Sequence, residues 1–140
     1  MRLWYIDIIK YLPEYQLLGL WRELNSIFKN QPSHILINYV YEENPVCLFT
    51  YSCDVMNEMS KRNIKIKSTK NMEIYFLNHG IDPKGIYAIR HFPQHDDRYL
   101  RQCFYNLQEK YDRGQKGFTR RIYLKLWKFV NDKLKGGVEI

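Results

Sequence analysis

Glu23 is the side chain whose type and setting first suggest chemistry. It lies in the stretch Gln16-Leu17-Leu18-Gly19-Leu20-Trp21-Arg22-Glu23-Leu24-Asn25-Ser26-Ile27-Phe28. There Leu17, Leu20, Trp21, Leu24, Ile27 and Phe28 recur at i, i+3, i+4 and i+7, the spacing of a core-facing amphipathic helix. Arg22 and Ser26 fall opposite. Glu23 sits at the edge of the apolar stripe, beside Leu20 and Ile27, where a carboxylate is partly dried, the kind of setting in which acid–base groups are tuned. Gly19 precedes it by one turn, and helical side chains lean back over the preceding turn. The glutamate is therefore expected to lean over a position with no side chain of its own. A mid-helix glycine costs roughly 1 kcal/mol against alanine, so something needs that space. Close packing of a second helix is the plain explanation, and room for a bound group is the functional one.

A second concentration of chemistry-bearing residues lies near the C-terminus. Between Gln115 and Gly136 seven basic residues stand against one acid, Asp132, a net +6 of the chain's +7. Arg121, Lys125, Lys128 and Lys135 share one helical face, while Ile122, Tyr123, Leu126, Trp127, Phe129, Val130 and Leu134 fill the other. Such a stripe reads as a solvated face, as a phosphate-tracking surface whose affinity falls steeply with salt, or as a membrane-surface helix. His91 and His95 are four apart, but Pro93 between them breaks the helical register a shared metal would need, so no metal site is expected. Asp96 and Asp97 suit a helix N-terminus, and His95 suits capping or orienting the helix it opens. Cys47, Cys53 and Cys103 are odd in number and lack metal spacing, as reduced thiols of an intracellular protein would. There is no Gly-rich phosphate loop, Ser/His/Asp arrangement or zinc spacing.

Several motifs together resemble a known family. They are Met1-Arg2-Leu3-Trp4, Tyr11-Leu12-Pro13, Gln16-Leu17-Leu18-Gly19, Arg22-Glu23-Leu24 with Ile27-Phe28, and Pro93, His95, Asp97 and Tyr99 in a Pro-x-His-x-Asp-x-Tyr pattern. The sequence is similar to the pyrimidine dimer DNA glycosylases of the phage endonuclease V type, and to a shorter branch of them that opens Met-Arg-Leu-Trp. The likeness runs from Met1 to about Leu107 and is strongest over the first 28 residues.

The resemblance implies a DNA glycosylase with abasic-site lyase activity, acting on pyrimidine dimers or abasic sites in duplex DNA without a cofactor. The α-amine of Met1 would be the nucleophile, and Glu23 would stabilise charge at C1′ and then take the C2′ proton. An α-amino group ionises near 7.7 to 8, so roughly 10 to 20% of it is neutral and able to attack at pH 7. Arg2 and Arg22 match arginines that hold phosphates beside the lesion, Gln16 matches a polar position facing the substrate, and the branch pattern leaves His95 a substrate role. Arg121, Lys125 and Lys128 complete the expected DNA-binding set. Three features differ from the better-known members. Those begin with threonine after Met removal, whereas Arg2 is too large to favour removal and Met1 is expected to be the mature terminus. Ser26 stands where they carry another arginine. Their closing Trp-Tyr-Lys-Tyr-Tyr-Gly segment is not recognisable. A non-catalytic nucleic-acid-binding protein of the same fold is the alternative, and a peripheral membrane protein a more distant one.

The elements that must position these residues follow from composition and punctuation. The 140 residues, 45% hydrophobic and 16% aromatic, describe one globular, monomeric, all-α domain of four to five helices, residues 1–140. Asp7 interrupts the short apolar run after Leu3 and no cleavage site follows, so no signal peptide is read. No segment approaches the ~20 apolar residues of a membrane span, and a cytoplasmic protein is expected. Residues Met1 to Leu12 read as an irregular or extended segment packed beside the first long helix, which begins near Pro13 and ends at Asn30-Gln31-Pro32. Ser33 suits the cap of a short helix to Tyr41. Asn44-Pro45 reads as the cap and first turn of a central helix to about Arg62. That helix would bury Val46, Phe49, Cys53 and Met56, with Leu48, Val55 and Met59 adjoining. A brief helix over Met72 to Asn78, a turn at Asp82-Pro83-Lys84-Gly85, a helix from His95 or Asp96 to Asp112, and a basic one from Thr119 to Lys135, within 115–136, complete the expectation.

Overall fold

A computed structural model describes residues 2–139. Among them the chain forms six α-helices and one 3-10 helix, with no strand, so the all-α expectation holds. The α-helices are α1 (Glu14–Asn30), α2 (Tyr39–Glu42), α3 (Pro45–Lys61), α4 (Lys70–Asn78), α5 (Asp97–Asp112) and α6 (Arg120–Lys133), and the 3-10 helix is Ile6–Tyr11. No helix among the described residues is long and apolar enough to cross a membrane.

The helix boundaries follow local chemistry. Pro13 immediately precedes α1, and its carbonyl accepts from the amides of Gln16 at 2.9 Å and Leu17 at 3.1 Å. At the other end Gln31 adopts φ +46°, a left-handed conformation uncommon for a residue with a side chain, and Pro32 then prevents the helix from continuing. Asn44 caps α3 by accepting from Val46 N at 2.9 Å, with Pro45 in the first turn. Asp96 caps α5 through Tyr99 N at 2.9 Å, and Thr119 caps α6 through Ile122 N at 3.3 Å. Each such cap satisfies an amide that the first helical turn leaves without a partner.

The chain divides into two compact units, residues 1–3 with 19–92 and residues 4–18 with 93–140. Neither is one continuous stretch. The division falls inside α1, between Leu18 and Gly19, so both units draw on the same helix.

In the first unit, Leu20, Leu24, Ile27 and Phe28 of α1 are buried, as the wheel predicts, while Trp21, expected on the same face, is only half-buried. Phe28 packs against Tyr75 and Phe76 of α4, and Phe49 of α3 meets Phe76 edge-on with ring centroids 5.1 Å apart. Phe76 is fully buried at this junction. On α3 the buried set is Cys47, Leu48, Phe49, Thr50, Tyr51, Ser52, Val55 and Met59. Val46, Cys53 and Met56, expected in the core, are only half-buried. Burial of two hydroxyls shifts the buried face: Ser52 Oγ donates to the Leu48 carbonyl at 2.7 Å and Thr50 Oγ1 to that of Val46 at 3.1 Å. The expected Ser33 cap is replaced by a turn, in which Asn38 Oδ1 accepts from His34 N at 2.7 Å ahead of α2.

In the second unit the segment expected to be irregular is the 3-10 helix, with Ile8 and Ile9 buried. The N-terminal segment packs against helices as expected, and here it lies along α6: Tyr11 meets Phe129 with centroids 5.1 Å apart, and Asp7 pairs with Lys133 at 3.3 Å. α5 and α6 join through Phe104, Tyr111 and Tyr123, the last two stacked at 4.2 Å and 3°. α6 ends at Lys133, two residues short of expectation, so Lys135 lies beyond the helical stripe. The Arg101 guanidinium holds the chain that follows, donating to the Lys135 and Gly137 carbonyls at 2.7 Å each.

Tyr41 supplies a test of the first unit. Its hydroxyl donates to the Pro32 carbonyl at 2.8 Å, and burial, reinforced by nearby Tyr75, pushes its pKa up to about 12 from an ordinary value of 10.0. The folded chain therefore binds this proton more tightly than the unfolded one, so the stabilisation is complete below pH 10 and disappears as pH rises through 12. Unfolding midpoints followed by circular dichroism across that window should fall. The fall should be smaller in Tyr41→Phe, which itself loses about 1 kcal/mol at neutral pH.

Candidate active site and basic face

α1 places Gly19, Arg22 and Glu23 within a little more than one helical turn. Glu23 is half-buried, and its Oε2 is enclosed without a hydrogen-bond partner among the described residues. Buried polar atoms are paired in the great majority of cases, and an exception points to strain or to a functional requirement. The side chain over Gly19 is not the expected one. A Cβ built there would meet Arg22 Nη2 at 3.8 Å, and no other described side chain lies within 4 Å. Residue i+3 covers the preceding turn as readily as i+4 does, and here the flexible arginine takes that place.

Arg2 is half-buried and belongs to the same unit as Arg22 and Glu23. Met1, the expected nucleophile, lies outside the described residues. Gln16 sits in the other unit and is buried, with 9% of its surface open. His95 also belongs to that unit. It does not cap α5, a role taken by Asp96, but stacks between the rings of Tyr99 at 4.6 Å and Tyr5 at 6.1 Å. Its imidazole is thus fixed as an aromatic plate.

The basic face of α6 is present as expected: Arg121, Lys125 and Lys128 are exposed and enter no ion pair among the described residues. The sequence reading missed that this face has an aromatic floor. Tyr11, Lys125, Lys128, Phe129, Asp132 and Lys133 line a cleft of about 610 Å³ in the second unit. Phe129 had been assigned to the apolar side. Its spacing, four residues from both Lys125 and Lys133, was the available signal that it borders the lysines. Tyr11 comes from the 3-10 helix and gave no local signal. The Lys133 ammonium is held charged above its ordinary range by hydrogen bonding to the Tyr5 hydroxyl and, against the cost of burial, to Asp7.

All three cysteines are free, and burial pushes the Cys47 and Cys53 thiols up. Among the described residues no three His, Cys, Asp or Glu side chains are grouped to hold a metal ion.

A family model described as pyrimidine dimer DNA glycosylase matches residues 1–72. The match takes in Met1, Arg2, Gln16, Gly19, Arg22 and Glu23, and leaves out His95 and the whole of α6. No curated protein and no solved structure matches the chain.

The geometry around Gly19 predicts the outcome of Gly19→Ala. A methyl group at ordinary contact distance from a movable guanidinium brings no clash, so helix propensity dominates and stability rises by up to about 1 kcal/mol, a shift of about 3 °C in Tm. Calorimetry that found a loss instead would mean that packing requires the glycine. A gain assigns the gap to something other than the fold.

Proposed function

The chain belongs to the pyrimidine dimer DNA glycosylase family, and from that premise we propose that it is a DNA repair glycosylase with abasic-site lyase activity, acting as a monomer on damaged duplex DNA. The observation that carries this reading is the Glu23 carboxylate. Its Oε2 is buried and unpartnered among the described residues, on the first long helix and inside the matched region. An acceptor left open at such a place suits a group that receives a proton during the reaction.

The neutral α-amine of Met1 attacks C1′ of the damaged nucleotide. A carbon–nitrogen bond forms as the glycosidic bond breaks, and the base leaves with its electron pair. Opening of the sugar ring gives a protonated imine between the Met1 nitrogen and C1′. Glu23 offsets the developing positive charge and then removes the C2′ proton, which the imine has made acidic. The electrons released expel the 3′-phosphate by β-elimination, cutting the strand. At an abasic site the amine adds to the C1′ aldehyde and the same elimination follows.

The remaining residues bind and position. Arg2 and Arg22 hold phosphates flanking the lesion, and Arg22, exposed above Gly19, can leave that position for a phosphate without breaking a packed contact. Gln16 supplies a polar contact through its small open surface. The stacked ring of His95 presents an edge to the substrate. Arg121, Lys125 and Lys128 track the backbone, where each neutralised phosphate makes affinity steeply salt-dependent. Reaching C1′ within a duplex requires kinking it and flipping a nucleotide, and the resemblance implies that the base opposite the dimer is the one extruded.

Borohydride reduction with abasic or dimer-containing duplex should trap a covalent adduct of the untagged chain. The adduct should be lost in Glu23→Gln and in a chain whose N-terminus carries an uncleaved extension. Full trapping of the extended chain would move the nucleophile to a lysine. Salt-dependent binding with no adduct from any form would favour the non-catalytic nucleic-acid-binding alternative.

A further inference from the structure

The cleft on the second unit has a chemistry that Glu23 and the amine do not use. Its floor is a pair of aromatic rings, Tyr11 and Phe129, 5.1 Å apart and inclined by 33°. Both are only half-buried, although complete burial of such rings would stabilise the fold more. Around them stand Lys125, Lys128 and Lys133, with Asp132 at the edge. Lys10 lies over the same rings, its Nζ 5.2 Å from Tyr11 and 5.8 Å from Phe129, and this exposed side chain is what a stacking base would displace. A solvated basic helix needs no such floor, and a hydrophobic core would not be ringed by ammonium groups.

We propose that this cleft binds a short run of single-stranded DNA, its bases stacked on Tyr11 and Phe129 and its phosphates on Lys125, Lys128 and Lys133. Three physical arguments select that occupant. Ring faces can stack only with bases that are not already stacked within a duplex, whereas lysines alone would accept either form. Lys125 and Lys133 are eight residues apart, about 12 Å along the helix, which is the reach of an oligonucleotide and not of one phosphate. Lys133 is fixed by Asp7 at 3.3 Å and kept charged, so its position is set before a ligand arrives. The Asp132 carboxylate can accept from an exocyclic base amine, giving the edge of the cleft a modest preference for bases that carry one. The cleft binds single-stranded DNA whether or not Glu23 is catalytic.

Binding of a short labelled oligothymidylate to the full-length Glu23→Gln chain, followed by fluorescence anisotropy, tests this independently of cleavage. With three phosphates neutralised, log affinity should fall with log salt at a slope of about −2, and Lys125→Gln with Lys128→Gln should remove about 1.4 of it. Phe129→Leu keeps apolar bulk but loses the stacking face, and should weaken oligothymidylate about tenfold while leaving inorganic polyphosphate unaffected. Tyr11→Leu should behave alike, so a folding defect in one variant does not remove the test. Unchanged oligothymidylate affinity in both leucine variants would overturn the proposal in favour of a bare cationic surface. So would a duplex of the same sequence bound as tightly and with the same response to Phe129→Leu. Loss of binding to anionic vesicles in these variants, with oligothymidylate unaffected, would assign the cleft to a membrane surface instead.

Discussion

An enclosed carboxylate oxygen without a hydrogen bond is expensive, by about 1 to 3 kcal/mol for a neutral polar group and more for a charged one. That cost is comparable with a sizeable fraction of the stability of a small domain. Among the described residues Glu23 Oε2 has no partner to offset that cost, and it sits on the helix within which the two compact units divide. Leu20, Leu24, Ile27 and Phe28, buried in the same unit, anchor the stretch of α1 that carries this acid. A loop could relax to hydrate the oxygen, but a four-turn helix anchored along its length cannot do so without giving up its own packing.

The two units differ in the side chains they present. The first holds the acid and the arginines of the matched region. The second is where the lysines meet aromatic rings. Lysine contributes long-range attraction that depends on salt and little on geometry, whereas the acid contributes only at contact. The family model, over residues 1–72, takes in the acid and both arginines of the first unit together with residues 4–18 of the second, and stops before α6.

What could be read from the sequence was what is decided locally. The apolar stripe of α1, the Asn44-Pro45 start of α3 and the caps at Asp96 and Thr119 each depend on residues within one or two turns, and each is present. The buried face of α3 was misjudged because Thr50 and Ser52 satisfy their hydroxyls on backbone carbonyls of the preceding turn, which lets polar residues go inside. The 3-10 helix was missed because Ile8 and Ile9 are buried side by side, a pattern without the helical period. At the candidate site, Glu23's border position was legible, but the side chain over Gly19 was not, since Arg22 and Glu23 can both lean there and only packing decides. The His95 stack and the aromatic floor join residues from distant parts of the chain, and no periodicity within one segment can announce such a meeting.

The Asp7–Lys133 pair, which spans 126 positions, has a consequence for biogenesis. At ribosomal speeds of about 5 to 20 residues per second, the 3-10 helix waits roughly 6 to 25 s for α6 to be made. During that interval the 3-10 helix lacks its α6 neighbour, while Phe28 of α1 can already gather α3 and α4 around Phe76. Ile8 and Ile9, buried in the finished fold, are thus open to chaperones until α6 emerges.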